Sequence, residues 1–187
     1  MTIANVDVSN QGGSGVSVSG SNNVLRNVSG SGMGCQASSV YGGDFATLTP
    51  GNNTVVGCSF TQYARFCRTY QPGLSWGGVG NSFINNTVGD APHTGAEGGG
   101  NDNLFRGNLF TDLAYESSDT GAWYTGRSWV TRGNIVEGNT FVRIRNTIGA
   151  CRCSPAGCFF AFRRALCFSI IPTCAAQASI WATAVCK

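Results

Sequence analysis

The sequence predicts an all-β solenoid, a right-handed parallel β-helix of about five coils spanning residues 1–147. Three observations predict it. A template, Asn-x-apolar-x-x-Asn-x-apolar, recurs along the chain, and such a repeat sets the architecture. Glycine accounts for 27 of the 187 residues, and glycine and asparagine both tolerate the positive φ angles of tight turns. The strong helix formers Ala, Leu, Glu and Lys are sparse before residue 148.

The template begins at residues 22, 53, 81, 103 and 134, at intervals of 31, 28, 22 and 31 residues. The copies at Asn103–Phe110 and Asn134–Phe141 are complete, whereas the copy from Asn53 has Cys58 in place of the second asparagine. The copy from Asn22 is looser. A unit of 20–30 residues with two or three short strands cannot bury its apolar side chains alone, so each copy is expected to form one coil.

Stacked coils should align the apolar template positions into two internal ladders. The first is expected to contain Val24, Val55, Phe83, Phe105 and Val136, and the second Phe60, Val88, Phe110 and Phe141. The first asparagine of each copy is expected at a bend, where its amide can bond the neighbouring coil and where the left-handed backbone conformation is tolerated. The alternative, a β-sandwich with Asn-rich turns, predicts no repeat in register.

The charge balance argues against a nucleic-acid partner. Residues 1–147 contain eight arginines and nine acidic residues, with no basic patch to neutralise a phosphate backbone. No segment is long enough and apolar enough to cross a membrane, and no signal peptide precedes the first strand. Phosphate loops and dinucleotide fingerprints are absent, and no spacing typical of calcium ligands occurs, so no cofactor and no metal are expected.

Residues 148–187 break the pattern. This Cys-rich, basic tail contains six of the nine cysteines, four basic residues and no acidic residue. The cysteine spacing matches no zinc motif. We interpret the tail as sequence that was not selected as protein, arising from a frame change or read-through; a disulfide-stapled cap is the alternative.

The three cysteines before the tail allow two interpretations. Cys58 and Cys67 could form a disulfide across a loop and leave Cys35 unpaired. Equally, all three could be buried free thiols.

Three chemically richer insertions separate the template copies: Tyr63–Gly80, Gly89–Asp102 and Asp112–Arg132. Insertions in a solenoid gather on one face, which is often the binding face. Two of them hold the candidate site residues. The candidates for catalysis are Asp119, Glu116, Asp102 and His93, and those for substrate binding are Arg127, Tyr124, Trp123, Trp129, Glu97 and Asp90.

Paired carboxylates on neighbouring coils suit glycoside hydrolysis. Retention needs two carboxyl groups about 5–5.5 Å apart and inversion roughly 6.5–9.5 Å, and adjacent strands lie about 4.8 Å apart. Asp119 could therefore act with Asp102, Glu97 or Asp90. The aromatic rings could stack on sugars, and Arg127 could pair with a sugar carboxylate.

Structural explanations compete with each of these roles. Asp119 could form an Asx turn, Glu116 could be a solvated acid, and His93 could cap a turn. Arg127 could pair with Asp119 and hold the loop. Trp123 and Trp129 could pack beneath the insertion instead of contacting sugar.

A family resemblance adds to this interpretation. Pro92-His93 and Gly100-Asn-Asp102, followed by Glu116-x-x-Asp119-x-Gly-Ala-x-Tyr124-x-Gly-Arg127-x-Trp129, resemble right-handed parallel β-helix repeat proteins of the pectate-lyase-like superfamily, in the branch that contains glycoside hydrolases. The resemblance covers residues 50–147. Members usually continue for further coils, so it implies that this chain is a fragment. It also implies an extracellular or secretory location and a polysaccharide or glycan partner.

The expected function is glycoside hydrolysis of a polysaccharide by paired carboxylates. A non-catalytic glycan-binding or structural module is the alternative from another class. A polysaccharide lyase is the second alternative, for which Arg127 or Arg106 would have to act as the base, since the only lysine is Lys187.

Overall fold

The computed structural model describes residues 1–117, 120–126 and 128–145, together with the backbone of residues 159–161 and 183–184. The described residues are all-β and form three parallel sheets, an architecture consistent with a β-solenoid. No helix in this part of the chain could span a membrane.

Each pass of the chain contributes short strands to sheet A, sheet B and sheet C in turn. Sheet A contains the following strands in parallel order: β1 (Thr2–Ala4), β4 (Val24–Arg26), β8 (Thr54–Val56), β11 (Ser82–Ile84), β14 (Leu104–Arg106) and β17 (Ile135–Glu137). Sheet B contains β2 (Asp7–Ser9), β5 (Ser29–Ser31), β9 (Ser59–Thr61), β12 (Thr87–Ala91), β15 (Leu109–Leu113) and β18 (Thr140–Ile144).

Three of the five strands of sheet C lie within the segments that the sequence marked as insertions, one in each. Its strands are β3 (Val16–Ser19), β6 (Ser38–Asp44), β10 (Leu74–Val79), β13 (Ala96–Asn101) and β16 (Trp123–Thr125). A short strand, β7 (Thr49–Pro50), pairs antiparallel with the end of β6 and closes a hairpin. The insertions are thus largely the third sheet and its connections.

Two strands of the tail extend the sheets. β19 (Phe159–Ala161) pairs parallel with β16, and β20 (Thr183–Ala184) pairs antiparallel with β17. The remainder of residues 148–187 lies outside the described residues, as do the expectations made for it.

The apolar template positions form the interior, with one correction to the first ladder. Leu25, not Val24, pairs with Val55, while Val24 pairs with Thr54. Leu25 is buried and Val24 is only partly buried. The looser copy therefore begins one residue later, at Asn23, because a shift of one residue along a strand moves every side chain to the opposite face.

The second ladder is confirmed from Phe60 to Phe141, whose register partners are Val88 and Phe110. On the preceding strand the equivalent position is Gly30, next to Phe60. The fully buried Met33 side chain occupies the space that a Cβ at Gly30 would need, so a flexible residue fills the gap beneath the ladder.

Buried asparagines join successive passes at the turn between sheets C and A. Each side-chain amide donates to the Oδ1 of the next, over distances of 2.9–3.2 Å, in the order Asn23, Asn53, Asn81, Asn103, Asn134. Each Oδ1 also accepts the backbone N–H of the asparagine before it. The predicted bond between an asparagine amide and the neighbouring backbone is confirmed by Asn134, which donates to the carbonyl oxygen of Gly100.

A second asparagine ladder lies between sheets A and B. Asn86 donates to Asn108 at 3.0 Å, and Asn108 donates to Asn139 at 2.8 Å. In the pass before Asn86, Cys58 takes the place of the asparagine, and its backbone N–H donates to Oδ1 of Asn86. The ladder asparagines themselves do not adopt positive φ. The residue before each one adopts positive φ, as at Asn52, Asn85 and Gly107. The left-handed conformation expected of the ladder asparagines therefore occurs one residue earlier.

The disulfide joins Cys35 to Cys67, with the two Cα atoms 4.9 Å apart. Neither interpretation of these cysteines holds in full, because Cys67 pairs with Cys35 in place of Cys58 and the three are not all free thiols. Cys58 is a buried free thiol, and burial raises its pKa. The disulfide ties the connection between β9 and β10 to the connection before β6.

Candidate functional site

The outer face of sheet C carries the candidate site. Side chains alternate between the two faces of a strand, and Leu74, Trp76 and Trp123 point into the interior. The residues between them therefore face outward. Register places five of them in one row across the sheet: Ser17, Ser39, Ser75, Glu97 and Tyr124.

Hydroxyl groups connect the first part of this row. Ser39 donates to the hydroxyl of Ser17 at 2.9 Å, and the Tyr41 hydroxyl lies 2.8 Å from that of Ser75. The Tyr41 ring covers Gly77, where a Cβ would lie 2.5 Å from the ring. Gly77 is thus required by the close approach of an aromatic ring that is itself half exposed.

Glu97 is the carboxylate of this face. Thr94 donates a hydrogen bond from its hydroxyl to Oε2 of Glu97 at 3.1 Å. The same hydroxyl lies 2.5 Å from Nδ1 of His93 and 3.1 Å from the hydroxyl of Thr120. Desolvation by burial raises the pKa of Glu97, an effect that the Thr94 hydrogen bond partly opposes. A half-buried carboxyl with a raised pKa is suited to donate a proton.

The connections between sheets B and C cover the histidine. His93 is only 3% exposed, and the Tyr70 ring lies 5.0 Å from its ring, centroid to centroid. Nε of Arg68 donates to Oε2 of Glu116 at 2.9 Å, and the two side chains form an ion pair. The guanidinium of Arg68 lowers the pKa of Glu116. The connection before β10 and the connection before β16, which flank the one that carries His93, are therefore held together.

Three predicted site residues come together here. Glu97 pairs with Tyr124 across β13 and β16, and His93 joins Glu97 through Thr94. The expectation that the insertions gather on one face is met by these two strands, which pair with each other. Glu116 lies in the connection before β16, where it is the ion-pair partner of Arg68.

Asp90 and Asp102 lie elsewhere on the coil. Asp90 is an exposed residue in sheet B with a φ of 52°, and Asp102 occupies the turn between sheets C and A with a φ of 56°. Both adopt a left-handed conformation that Asp tolerates at turns. Neither shares the outer face of sheet C with Glu97, so neither is the second carboxylate that the sequence suggested.

The two tryptophans predicted to bind substrate differ completely in their exposure to solvent. Trp123 is fully buried and stacks on Trp76, with ring centroids 5.8 Å apart. It cannot serve as a sugar platform, and the packing alternative describes it. Trp129 is 95% exposed on the connection after β16.

Asp119 and Arg127 lie outside the described residues. Within the residues that are described, no group of three or more His, Cys, Asp or Glu side chains could hold a metal ion.

Sequence reasoning missed the serines, Tyr41, Thr94 and Thr120. The available signal was a third short strand in each pass, with the alternation Val16-Ser-Val18-Ser19, Ser38-Ser-Val40-Tyr41 and Leu74-Ser-Trp76. Connections of variable length before these strands hid the period.

Comparisons with protein-family models, with curated proteins and with solved structures return no significant match. The outer face of sheet C must therefore be interpreted from its own chemistry.

Proposed function

We propose that this protein is a carbohydrate-active solenoid that binds a polysaccharide across the outer face of sheet C and hydrolyses a glycosidic bond there. The observation that carries the proposal is Glu97, a half-buried carboxylate with a raised pKa. Its register neighbours are Tyr124 and Ser75, and the buried Ser75 is bonded to the hydroxyl of the half-exposed Tyr41. Hydroxyl groups exchange hydrogen bonds with sugars, and an aromatic ring can cover the apolar face of a pyranose.

In this proposal Glu97 is the general acid that protonates the leaving oxygen. Asp119, on the connection before β16, is the proposed second carboxylate, acting as nucleophile or base. Thr94 and His93 are positioning residues, because Thr94 contacts both the carboxylate and the imidazole ring. Only protonated Glu97 can donate, so hydrolysis should decline as pH rises through its raised pKa.

The same proposal includes the handedness and the architecture of the solenoid. We infer that the solenoid is a right-handed parallel β-helix of the pectate-lyase-like architecture. The three parallel sheets and the buried asparagine ladders support this assignment.

One observation favours a second candidate, a glycan-binding module without catalysis. Among the described residues, Glu97 is the only carboxylate in the outward row of sheet C. A lyase that uses Arg106 is less well supported, because Arg106 is paired with Glu137 on sheet A; Arg127, the other candidate base, lies outside the described residues.

The test is release of reducing ends from a panel of neutral and acidic plant and algal polysaccharides. We expect the parent to release them and Glu97→Gln and Asp119→Asn to lose activity at least about a hundredfold, the usual contribution of general acid catalysis. Glu137→Gln is the matched control, since Glu137 lies on sheet A and pairs with Arg106.

Three outcomes would decide between the candidates. Binding without release of reducing ends would support the glycan-binding module and overturn hydrolysis. Unsaturated products absorbing near ~235 nm would indicate elimination by a lyase. Equal loss of activity in Glu137→Gln and Glu97→Gln would contradict the assigned role of Glu97.

A further inference from the structure

A cleft of about 530 Å³ lies at the carboxyl end of the first strands of sheet C. Glycine backbone at the ends of three strands lines the cleft, together with residues of the β6–β7 hairpin. The side chains that line it are Ser21, Tyr41, Asp44, Phe45 and Thr49. Clefts of roughly 300–1,000 Å³ are the usual size for sites that take a small molecule.

Two aromatic rings stand exposed at this cleft. Tyr41 is 48% exposed and Phe45 is 49% exposed, although both are large apolar side chains. Both rings line one cleft, and an exposed apolar patch of this kind is a feature of surfaces that bind a ligand. An aromatic wall beside hydroxyl groups is the chemistry that accepts a pyranose ring, apolar on its C–H face and polar at its edge.

The cleft is continuous with the row that contains Glu97. Tyr41 lines the cleft and, through its hydroxyl, contacts Ser75 at 2.8 Å. Ser75 is in turn the register neighbour of Glu97. Ser75 is itself buried, so a chain of sugar units lying across sheet C from Glu97 would reach the cleft over the half-exposed Tyr41 ring.

Charge restricts which sugar can enter. Asp44 is the only charged residue that lines the cleft, and its Oδ1 is fixed by the backbone N–H groups of Ala46 and Thr47 at 2.8 and 2.9 Å. No lining side chain carries a positive charge that could neutralise a second carboxylate. A uronate ring would bring two negative charges together without a counterion.

We propose that the cleft between Tyr41 and Phe45 is a subsite for a neutral pyranose ring of the bound polysaccharide and that Asp44 excludes uronate rings. This inference rests on the proposed carbohydrate function and deepens it. It assigns the substrate to neutral polysaccharides.

The experiment is isothermal titration of the full chain with cellohexaose, mannohexaose, laminarihexaose and hexagalacturonate. We expect at least one neutral hexasaccharide to bind and hexagalacturonate to bind roughly tenfold more weakly or not at all. Phe45→Ala and Tyr41→Ala should each weaken neutral binding about tenfold through loss of the contact with the ring. Asp44→Asn should strengthen hexagalacturonate binding relative to neutral binding, because it removes the carboxylate that repels a uronate ring.

Two controls keep folding separate from binding. Phe66→Ala removes an exposed phenylalanine on the β9–β10 connection, at the other end of sheet C, and should leave binding unchanged. Tyr41→Phe keeps the ring over Gly77 and should retain most of the affinity that Tyr41→Ala loses. Melting temperatures of all variants would reveal any that fail to fold.

The outcomes separate the cleft from the proposed function. Neutral binding that depends on Glu97 and Tyr124 but not on Tyr41 or Phe45 would overturn the subsite and leave the proposed function standing. Binding of hexagalacturonate as tight as that of the neutral ligands would overturn the charge selection. If no oligosaccharide binds and no polysaccharide is cleaved, both proposals fail.

Discussion

The corner between sheets A and B and the corner between sheets B and C follow different rules. Every described connection from sheet A to sheet B has two residues, as at 57–58, 85–86 and 107–108. The first adopts positive φ, and the second is buried in every one of them except the first connection, where Val6 is exposed. The connections from sheet B to sheet C vary in length, as a comparison of 62–73 with 92–95 shows.

The difference shows where this fold can change without losing its register. The A–B corner is fixed by asparagine amides that satisfy the backbone of the neighbouring pass, so an insertion there would leave buried polar groups unpaired. The B–C corner is held by side chains of diverse chemistry, including the Cys35–Cys67 disulfide and the Arg68–Glu116 pair. It can therefore hold the His93 and Glu97 network on a regular scaffold.

The largest expected change in the free energy of unfolding comes from comparing a tryptophan on the inner face of sheet C with one on the connection that follows it. Trp123→Ala should lower the free energy of unfolding by about 4 kcal/mol, since a fully buried tryptophan leaves a cavity. Trp129→Ala is the matched control and should change it by less than about 0.5 kcal/mol, because that side chain is 95% exposed. Denaturant unfolding measures both. A small loss for Trp123→Ala would mean that sheet C is not packed as described.

The next effect tests the A–B corner with two neighbouring asparagines. Asn86→Ala should cost about 2 kcal/mol, since it removes bonds to Asn108 and to the carbonyl oxygen of Val55 in the interior. Asn85→Gly, one residue earlier, should be nearly neutral because glycine readily adopts its φ of 53°. Urea titrations of the two variants would check this. Equal destabilisation by both would show that the buried amide has no special role.

The smallest effect concerns Cys58, which occupies the position of a ladder asparagine in the pass before Asn86. In Cys58→Asn, the new amide would face Oδ1 of Asn86 and the carbonyl oxygen of Leu25, which the thiol now approaches at 3.7 Å. We expect unchanged or slightly higher stability, by up to about 1 kcal/mol. Cys58→Val, which cannot donate, is the comparison. A clear loss for Cys58→Asn alone would indicate that the site is shaped around sulfur.

The sequence predicted the A–B corner well because its repeat is local and strict. Phe60, Val88, Phe110 and Phe141 could be aligned directly from the template. The prediction of the first ladder is wrong at Val24, because Asn22 and Asn23 are adjacent and either could begin the template. Only the hydrogen bond to Asn53 shows that Asn23 is the ladder residue.

The site was less predictable because its parts are not periodic. Glu97 and His93 were singled out by residue type, but their link through Thr94 depends on the bend of the 92–95 connection. The burial of Trp123 depends on the register of β16 against β13, which the variable B–C connections conceal from a repeat search. Asp102 looked catalytic by composition, whereas its turn conformation is a property of the coil.

Hydrogen exchange with and without a bound neutral hexasaccharide tests most directly whether sheet C, rather than the A–B corner, forms the ligand surface. We predict slower exchange in the 42–50 hairpin and in the 92–97 segment beside Glu97. The two-residue turns at 57–58, 85–86 and 107–108 should exchange at unchanged rates. Protection centred on those turns, with none at the hairpin or near Glu97, would contradict the account.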